Sequence, residues 1–138
     1  IVILVYLYGI FNYMKTINTK NAPQAIGPYS QAKVVDKLVF TSGQIPLKPD
    51  GSLISGDFKA ECIQVLDNLK EILNASGSNI DNIVKLTVYL VDLSNFNILN
   101  EVFEDYFKNS LPARSTIQVS ALPKDARVEI EAIGYIDA

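Results

Sequence analysis

The amino-acid sequence predicts an α+β fold, a mixed β-sheet with two helices packed on one of its faces and a further copy of the chain against the other. Three observations carry this expectation. Two segments repeat apolar residues at three- and four-residue steps, several shorter ones alternate apolar and polar side chains, and the order is a hairpin, a helix, a strand, a helix and two strands. Helices joined to strands by short connections favour crossovers onto one face of a sheet. With only two helices to cover it, the remaining face calls for another subunit, and a homo-oligomer is expected.

The 138 residues suffice for one compact unit with its own core, and no repeat, low-complexity tract or linker interrupts them. Residues 14–138 are expected to form a single domain. The segment before them, IVILVYLYGIFNY, stands apart. Its apolar run is shorter than the roughly 18–20 residues that span a bilayer, and no basic stretch precedes it as in a secretory signal. Ile1–Tyr13 reads as an artefactual extension, a targeting remnant or an added β-strand, with Met14 as a natural start for the domain.

After a polar stretch from Thr16 to Gln24, SQAKVVDKLVFTSG offers two short strands around a turn at Asp36 and Lys37. The segment IPLKPDGSLISG, with two prolines and Asp50-Gly51, reads as a loop containing a tight turn. From Asp57 the period changes. Phe58, Cys62, Val65, Leu66, Leu69, Ile72 and Leu73 mark one face of a helix, with Asp57 as N-cap and Gly77 as its stop. Cys62 lies on that stripe and is expected to be a small buried hydrophobe rather than a nucleophile. VKLTVYLVDL reads as a central strand, with Leu86, Val88 and Leu90 on one face and Thr87, Tyr89 and Val91 on the other. Ser94 is expected to cap a second helix whose stripe includes Phe96, Leu99, Phe103, Tyr106 and Phe107. Asn100 falls on this apolar face, where its amide needs hydrogen-bond partners. Two strands close the chain, one beginning near Arg114 and the other at RVEIEAIGYI.

Composition removes several chemistries. Without histidine and with a single cysteine, the chain cannot build a histidine general base, a Ser-His-Asp triad or a Cys/His zinc site. Proton transfer falls to carboxylates, tyrosines, lysines or water. Cys62 has no intrachain partner, which fits a reducing, cytoplasmic setting, or an organellar one if the apolar N-terminus belongs to a targeting sequence. A net charge of −3 supplies no basic field, so nucleic acid is a poor default partner.

Strand parity then singles out candidates. Arg114, Thr116 and Gln118 alternate with Ser115, Ile117 and Val119, and Arg127, Glu129 and Glu131 alternate with Val128, Ile130 and Ala132. If the apolar sides pack on the helices, Arg114 and Glu129 both face the subunit contact, a cation and a carboxylate in one partly enclosed site. By spacing alone, a solvated face or a structural salt bridge accounts for them more readily than catalysis does. A rigid arginine is nonetheless a good anchor for a small carboxylate, and a glutamate near it can deprotonate water. Tyr29 in AIGPYSQA and Gly43 in TSGQIP leave the same choice open between packing or backbone geometry and a site.

Taken together, AIGPYSQA, FTSGQIP, VKLTVYLVDL, LPARSTIQV and LPKDARVEIEAIG resemble the RidA/YjgF family of reactive intermediate deaminases, also called the endoribonuclease L-PSP family. The resemblance runs from Met14 to Ile136. It implies a chorismate-mutase-like α+β fold and a homotrimer with clefts between subunits. It also implies hydrolysis of small 2-imino acids, 2-iminobutanoate and 2-iminopropanoate, to 2-oxo acids and ammonia without cofactor, metal or membrane. By the same resemblance Arg114 holds the substrate carboxylate, Glu129 directs the attacking water, Tyr29 joins them, and Ser42, Gly43, Asn100 and Thr116 line the cleft. Many members carry cysteine where this chain has Thr116, which puts a thiol-dependent step in doubt here. An RNA-cleaving translation inhibitor and a non-catalytic, chaperone-like trimer binding small carboxylates are the alternatives. The acidic balance and the missing histidine count against the first.

Overall fold

The structure, a computed structural model, describes residues 14–137; the expectations for Ile1–Tyr13 lie outside the described residues. Its elements are β1 (Met14–Ile17), β2 (Ala32–Val35), β3 (Leu38–Thr41), α1 (Phe58–Ala75), β4 (Ile83–Leu90), α2 (Phe96–Tyr106), β5 (Ala113–Gln118) and β6 (Val128–Tyr135). The strands form one six-stranded sheet in the order β1-β2-β3-β6-β4-β5. Only β4 and β5, joined through α2, run parallel; every other neighbouring pair is antiparallel. The mixed sheet with two helices is the expected architecture.

The helix forms where its period and its caps agree. The Asp57 carboxylate accepts from the Ala60 amide at 3.2 Å, meeting a donor that the first turn cannot satisfy internally. At the other end Gly77 takes φ +86°, and its amide and that of Ser78 bond to Asn74 and Leu73, so the predicted stop is a left-handed cap. Between the caps Cys62, Val65, Leu66, Leu69, Ile72 and Leu73 are fully buried. They meet Leu86, Val88 and Leu90 of β4 and Val128 and Ile130 of β6 in a single core. Each large side chain there contributes about 1.5–3 kcal/mol of transfer free energy. Burial pushes the Cys62 thiol up to about 12, with the neighbouring Glu61 adding to it, so this sulfur is an inert core atom.

Some expectations need correction. β1 runs into the start of the stretch from Thr16 to Gln24 that reads as polar: Met14, Lys15 and Thr16 are exposed and only Ile17 is buried, so no alternation advertises this strand, which backbone pairing to β2 holds in place. Ser94 does not cap α2. The Asp92 carboxylate instead accepts from the Ser94 amide and opens a short 3-10 turn, Leu93–Asn95, that leads into the helix at Phe96.

The larger correction concerns the faces of the last two strands. β5 pairs in parallel with β4 so that Leu86 is opposite Arg114 and Val88 opposite Thr116. Paired residues point the same way, so Arg114 and Thr116 lie on the helix side while Ile117 is exposed on the other. On β6 the expectation holds, with Val128, Ile130 and Ala132 sealed against the core and Glu129 and Glu131 facing away. Arg114 and Glu129 therefore sit on opposite faces of the sheet. Arg127, grouped with Glu129 by parity, reaches instead into the helix layer, where its guanidinium grips both carboxylate oxygens of Glu61 and lies over Phe58 at 5.4 Å.

Glu61 is only 2% exposed, so Arg127 neutralises a carboxylate that water cannot reach. The Arg127→Ala substitution is expected to lower unfolding stability by about 1–3 kcal/mol, less than for a fully buried pair because the guanidinium is partly solvated. Urea denaturation of the two proteins measures the difference.

Candidate functional site

One half of the candidate site surrounds a cavity of about 630 Å³ whose walls include Tyr29, Ser42, Gly43, Gln44, Glu129 and Glu131. Its rim is set by Gln31, a residue to which sequence reasoning gave no role. The Gln31 side chain is buried, accepts from the Thr19 amide at 2.7 Å and donates to the Pro23 carbonyl at 2.8 Å, tying the segment before β2 to the sheet. Tyr29 lies on this braced segment. Its hydroxyl accepts from the Ile26 amide at 3.2 Å, which leaves the phenolic proton free to donate toward the cavity. Ser42 is held by its amide on the Gln31 carbonyl and by its hydroxyl on the Ser30 carbonyl at 2.6 Å.

Gly43 is required by Glu129. The Gln44 amide donates to the Ile130 carbonyl at 2.9 Å and the Ile130 amide returns a bond of 3.1 Å, so the chain after β3 is locked alongside β6 at this point. The Glu129 carboxylate then lies directly over Gly43: a Cβ there would fall 2.1 Å from Glu129 Oε1. Close approach, not a left-handed backbone, explains the glycine. Burial raises the Glu129 carboxyl above the usual carboxylate range, and the charge of Glu131 raises it further.

The second half lies under β5, on the helix side. Arg114 Nη2 donates to Asn100 Oδ1 at 2.9 Å, giving the amide on the apolar face of α2 the partner it needed. The guanidinium is sandwiched between Phe96 and Phe103, 5.2 and 5.0 Å from the ring centroids. Desolvation lowers its proton affinity from the ordinary arginine value, without bringing it near neutrality. Among the described residues no carboxylate lies within 4.0 Å of Arg114. Two positions along, Thr116 Oγ1 is buried with no hydrogen-bond partner. A cation without a carboxylate partner and a buried hydroxyl without any partner thus lie on the same face of β5.

The residues predicted for the site are brought together in two groups. Tyr29, Ser42, Gly43 and Glu129 share the cavity, whereas Arg114, Asn100 and Thr116 lie together on the helix side of the edge strand. No single copy joins the two. Among the described residues no cluster of three or more His, Cys, Asp or Glu could hold a metal ion, and no helix is long and apolar enough to cross a membrane.

Known proteins match this chain over nearly its whole described length. A profile of the endoribonuclease L-PSP family covers residues 19–136. The human protein named 2-iminobutanoate/2-iminopropanoate deaminase is 50% identical over 120 residues, 86% of this chain and 88% of the human one. Among solved structures, a putative endoribonuclease from Thermotoga maritima superposes with a TM-score of 0.86 at 43% identity, covering 90% of this chain and 98% of its own. The Escherichia coli protein TdcF, solved with bound serine, gives 0.84 at 42% identity, covering 89% and 99%. With fold, motifs and sequence agreeing across the same residues, the chain belongs to the endoribonuclease L-PSP family, also known as RidA/YjgF.

Proposed function

We propose that the chain hydrolyses 2-iminobutanoate and 2-iminopropanoate to 2-oxo acids and ammonia, in clefts formed between the copies of a homotrimer. The observation that carries this reading is the division of the site: a partly buried arginine without a carboxylate on one side of the sheet, and a half-buried glutamate in a cavity on the other. Two copies that set the β5 edge of one against the Glu129 cavity of the next complete a site for a small organic acid. Leu38, Phe40, Ile117 and Tyr135, exposed on the sheet face away from the helices, are apolar surface for such a contact. The human relative bears this activity in its name, and TdcF holds an amino acid whose carboxylate is of the same kind. A cytoplasmic setting belongs to the proposal, supported by the lone buried thiol of Cys62.

In this mechanism Arg114 grips the substrate carboxylate with two parallel hydrogen bonds, and the Thr116 hydroxyl gains the partner it lacks. Tyr29 and Ser42 fix the imine over Glu129. The Glu129 carboxylate takes a proton from water as the water oxygen bonds to the imine carbon, the carbon–nitrogen π bond opens and the nitrogen takes up a proton from solvent, giving a carbinolamine. Glu129 then returns its proton to that nitrogen, the carbon–nitrogen bond breaks with its electron pair on nitrogen, and the hydroxyl oxygen loses its proton to solvent as the carbonyl forms and ammonia leaves. Positioning and proton handling are enough for a reaction of this intrinsic ease, and a histidine is not needed.

Four outcomes test this. Added to a threonine dehydratase reaction, the protein should accelerate 2-oxobutanoate appearance above spontaneous hydrolysis, and Arg114→Ala should reduce kcat/KM about 100-fold through two lost charge-assisted bonds. Mixed and reassembled Arg114→Ala and Glu129→Gln subunits should regain activity in about a quarter of the sites, as a closed ring with shared clefts requires; no recovery above the parent variants would show that one copy supplies both residues. Gly43→Ala, which pushes the Glu129 carboxylate aside, should cost about 100-fold in kcat/KM with little change in the unfolding midpoint.

The Glu129→Gln variant carries a separate expectation. A carboxyl whose folded affinity for its proton is raised stabilises the fold below its unfolded value and loses that contribution as pH rises through the folded one. The inactive Gln variant should therefore be the more heat-stable protein at neutral pH, and the two melting curves should converge as pH falls toward about 4.

A further inference from the structure

Glu131 stands on the same face of β6 as Glu129, two residues on and so about 6–7 Å away, and it lines the same cavity. The two carboxylates are treated differently. Tyr89 is the direct cross-strand partner of Glu129, yet its hydroxyl passes that residue by and donates diagonally to Glu131 Oε1 at 2.7 Å. The bond pushes the Tyr89 hydroxyl up to about 12, so it remains a donor throughout the neutral range. The Glu131 carboxylate is thereby held in place. No described residue donates to the Glu129 carboxylate, which is left against Gly43 and the cavity.

We propose, on the basis of the deaminase reading, that Glu131, held in place by Tyr89, is a positioning residue: its carboxylate, on the same strand face as Glu129 and in the same cavity, favours the protonated form of Glu129 and so lets it both take and return a proton. Two carboxyls that share a cavity cannot both ionise freely, and the one that no donor touches is the one that takes up a proton more readily. A carboxyl of ordinary affinity would accept water's proton too weakly to serve both halves of imine hydrolysis. Other groups facing Glu129 do not duplicate this charge. The Ser42–Gln44 segment and the exposed residues of β5, Ser115 and Ile117, are uncharged, and Tyr29 is a neutral phenol. Lys85 lies further along β4 beyond Glu131, and Lys124 and Asp125, in the turn before β6, are exposed and of opposite sign. In the proposed trimer Arg114 of the partner subunit adds a cation to the cleft, which a bound substrate carboxylate neutralises.

The test is Glu131→Gln, read in two ways. The amide oxygen still accepts from Tyr89, so the substitution removes charge while keeping shape and hydrogen bond. The Glu129 carboxyl, followed by carbon-13 NMR without substrate, should titrate at lower pH in the variant. The acid limb of the kcat/KM profile for imine hydrolysis should move to lower pH with it, because the active form is the ionised one. Tyr89→Phe, which frees Glu131 without neutralising it, should move both in the same direction by less. An unchanged Glu129 titration in Glu131→Gln overturns the proposal, as does an acid limb that stays in place while the carboxyl shifts. A shifted titration in a protein that hydrolyses no imine upholds the coupling and overturns the deaminase reading instead.

Discussion

Everything in this molecule hangs from the two-residue period of β6, the strand to which both β3 and β4 bond. Its inward set, Val128, Ile130 and Ala132, is at most 3% exposed and closes the core under α1, while Glu129 and Glu131 are held away from it. A slip of one residue would drive two carboxylates into the apolar layer and turn three core side chains outward, at a cost of several kcal/mol for each uncompensated charge. The reciprocal backbone bonds between Gln44 and Ile130 make the register a matter of the cavity as well. They place Gly43 under Glu129, so the same pairing that seals the core also sets the carboxylate.

The parts of the fold that were legible in the sequence are those where one element decides its own environment. The stripe of α1 has its own period and its own caps, and β4 and β6 alternate because each is flanked on both sides by other strands. β5 broke the rule for a physical reason. It is an edge strand, and its orientation comes from its parallel register with β4, not from which of its faces is the more apolar. Ile117 is accordingly exposed, and Arg114 lies among aromatic rings. β1 was unreadable because only Ile17 of its four residues is buried, so its strand character comes from the partner's backbone. The site was legible as a set of motifs but not as an arrangement. Gln31 was missed because a buried amide that only braces the chain leaves no periodic trace, and Glu131 because parity placed it beside Glu129 without revealing the bond from Tyr89.

The two arginines nearest the candidate site separate structure from function. Arg127 is matched on both forks by Glu61, so its charge is used up within the fold. Arg114 has an amide and two ring faces, which support a cation in a dry place without neutralising it. Removing water from a guanidinium has a real cost, and here no anion of the described chain offsets it. In the proposed function the offset comes from the carboxylate of the substrate.

The same test sorts the remaining polar groups. Buried polar side chains with a purely structural task have their bonds made: Gln31 with Thr19 and Pro23, Asn68 with the Leu47 carbonyl, Thr41 with the Ala132 amide. The groups left wanting are Arg114, Thr116 Oγ1 and Glu129, and each belongs to the motifs that resemble the family's site. A fold under selection for stability alone would have paired or removed them. Their positions add a second constraint, since one pair lies under an edge strand and the other group in a cavity on the far face. A small ligand that satisfied all of them would have to be touched by two copies of the chain, and a small acid with a carboxylate at one end and an electrophilic carbon beside it makes two demands of that kind. In the proposed function assembly is therefore part of the chemistry, because one copy presents the two groups on opposite faces of its sheet.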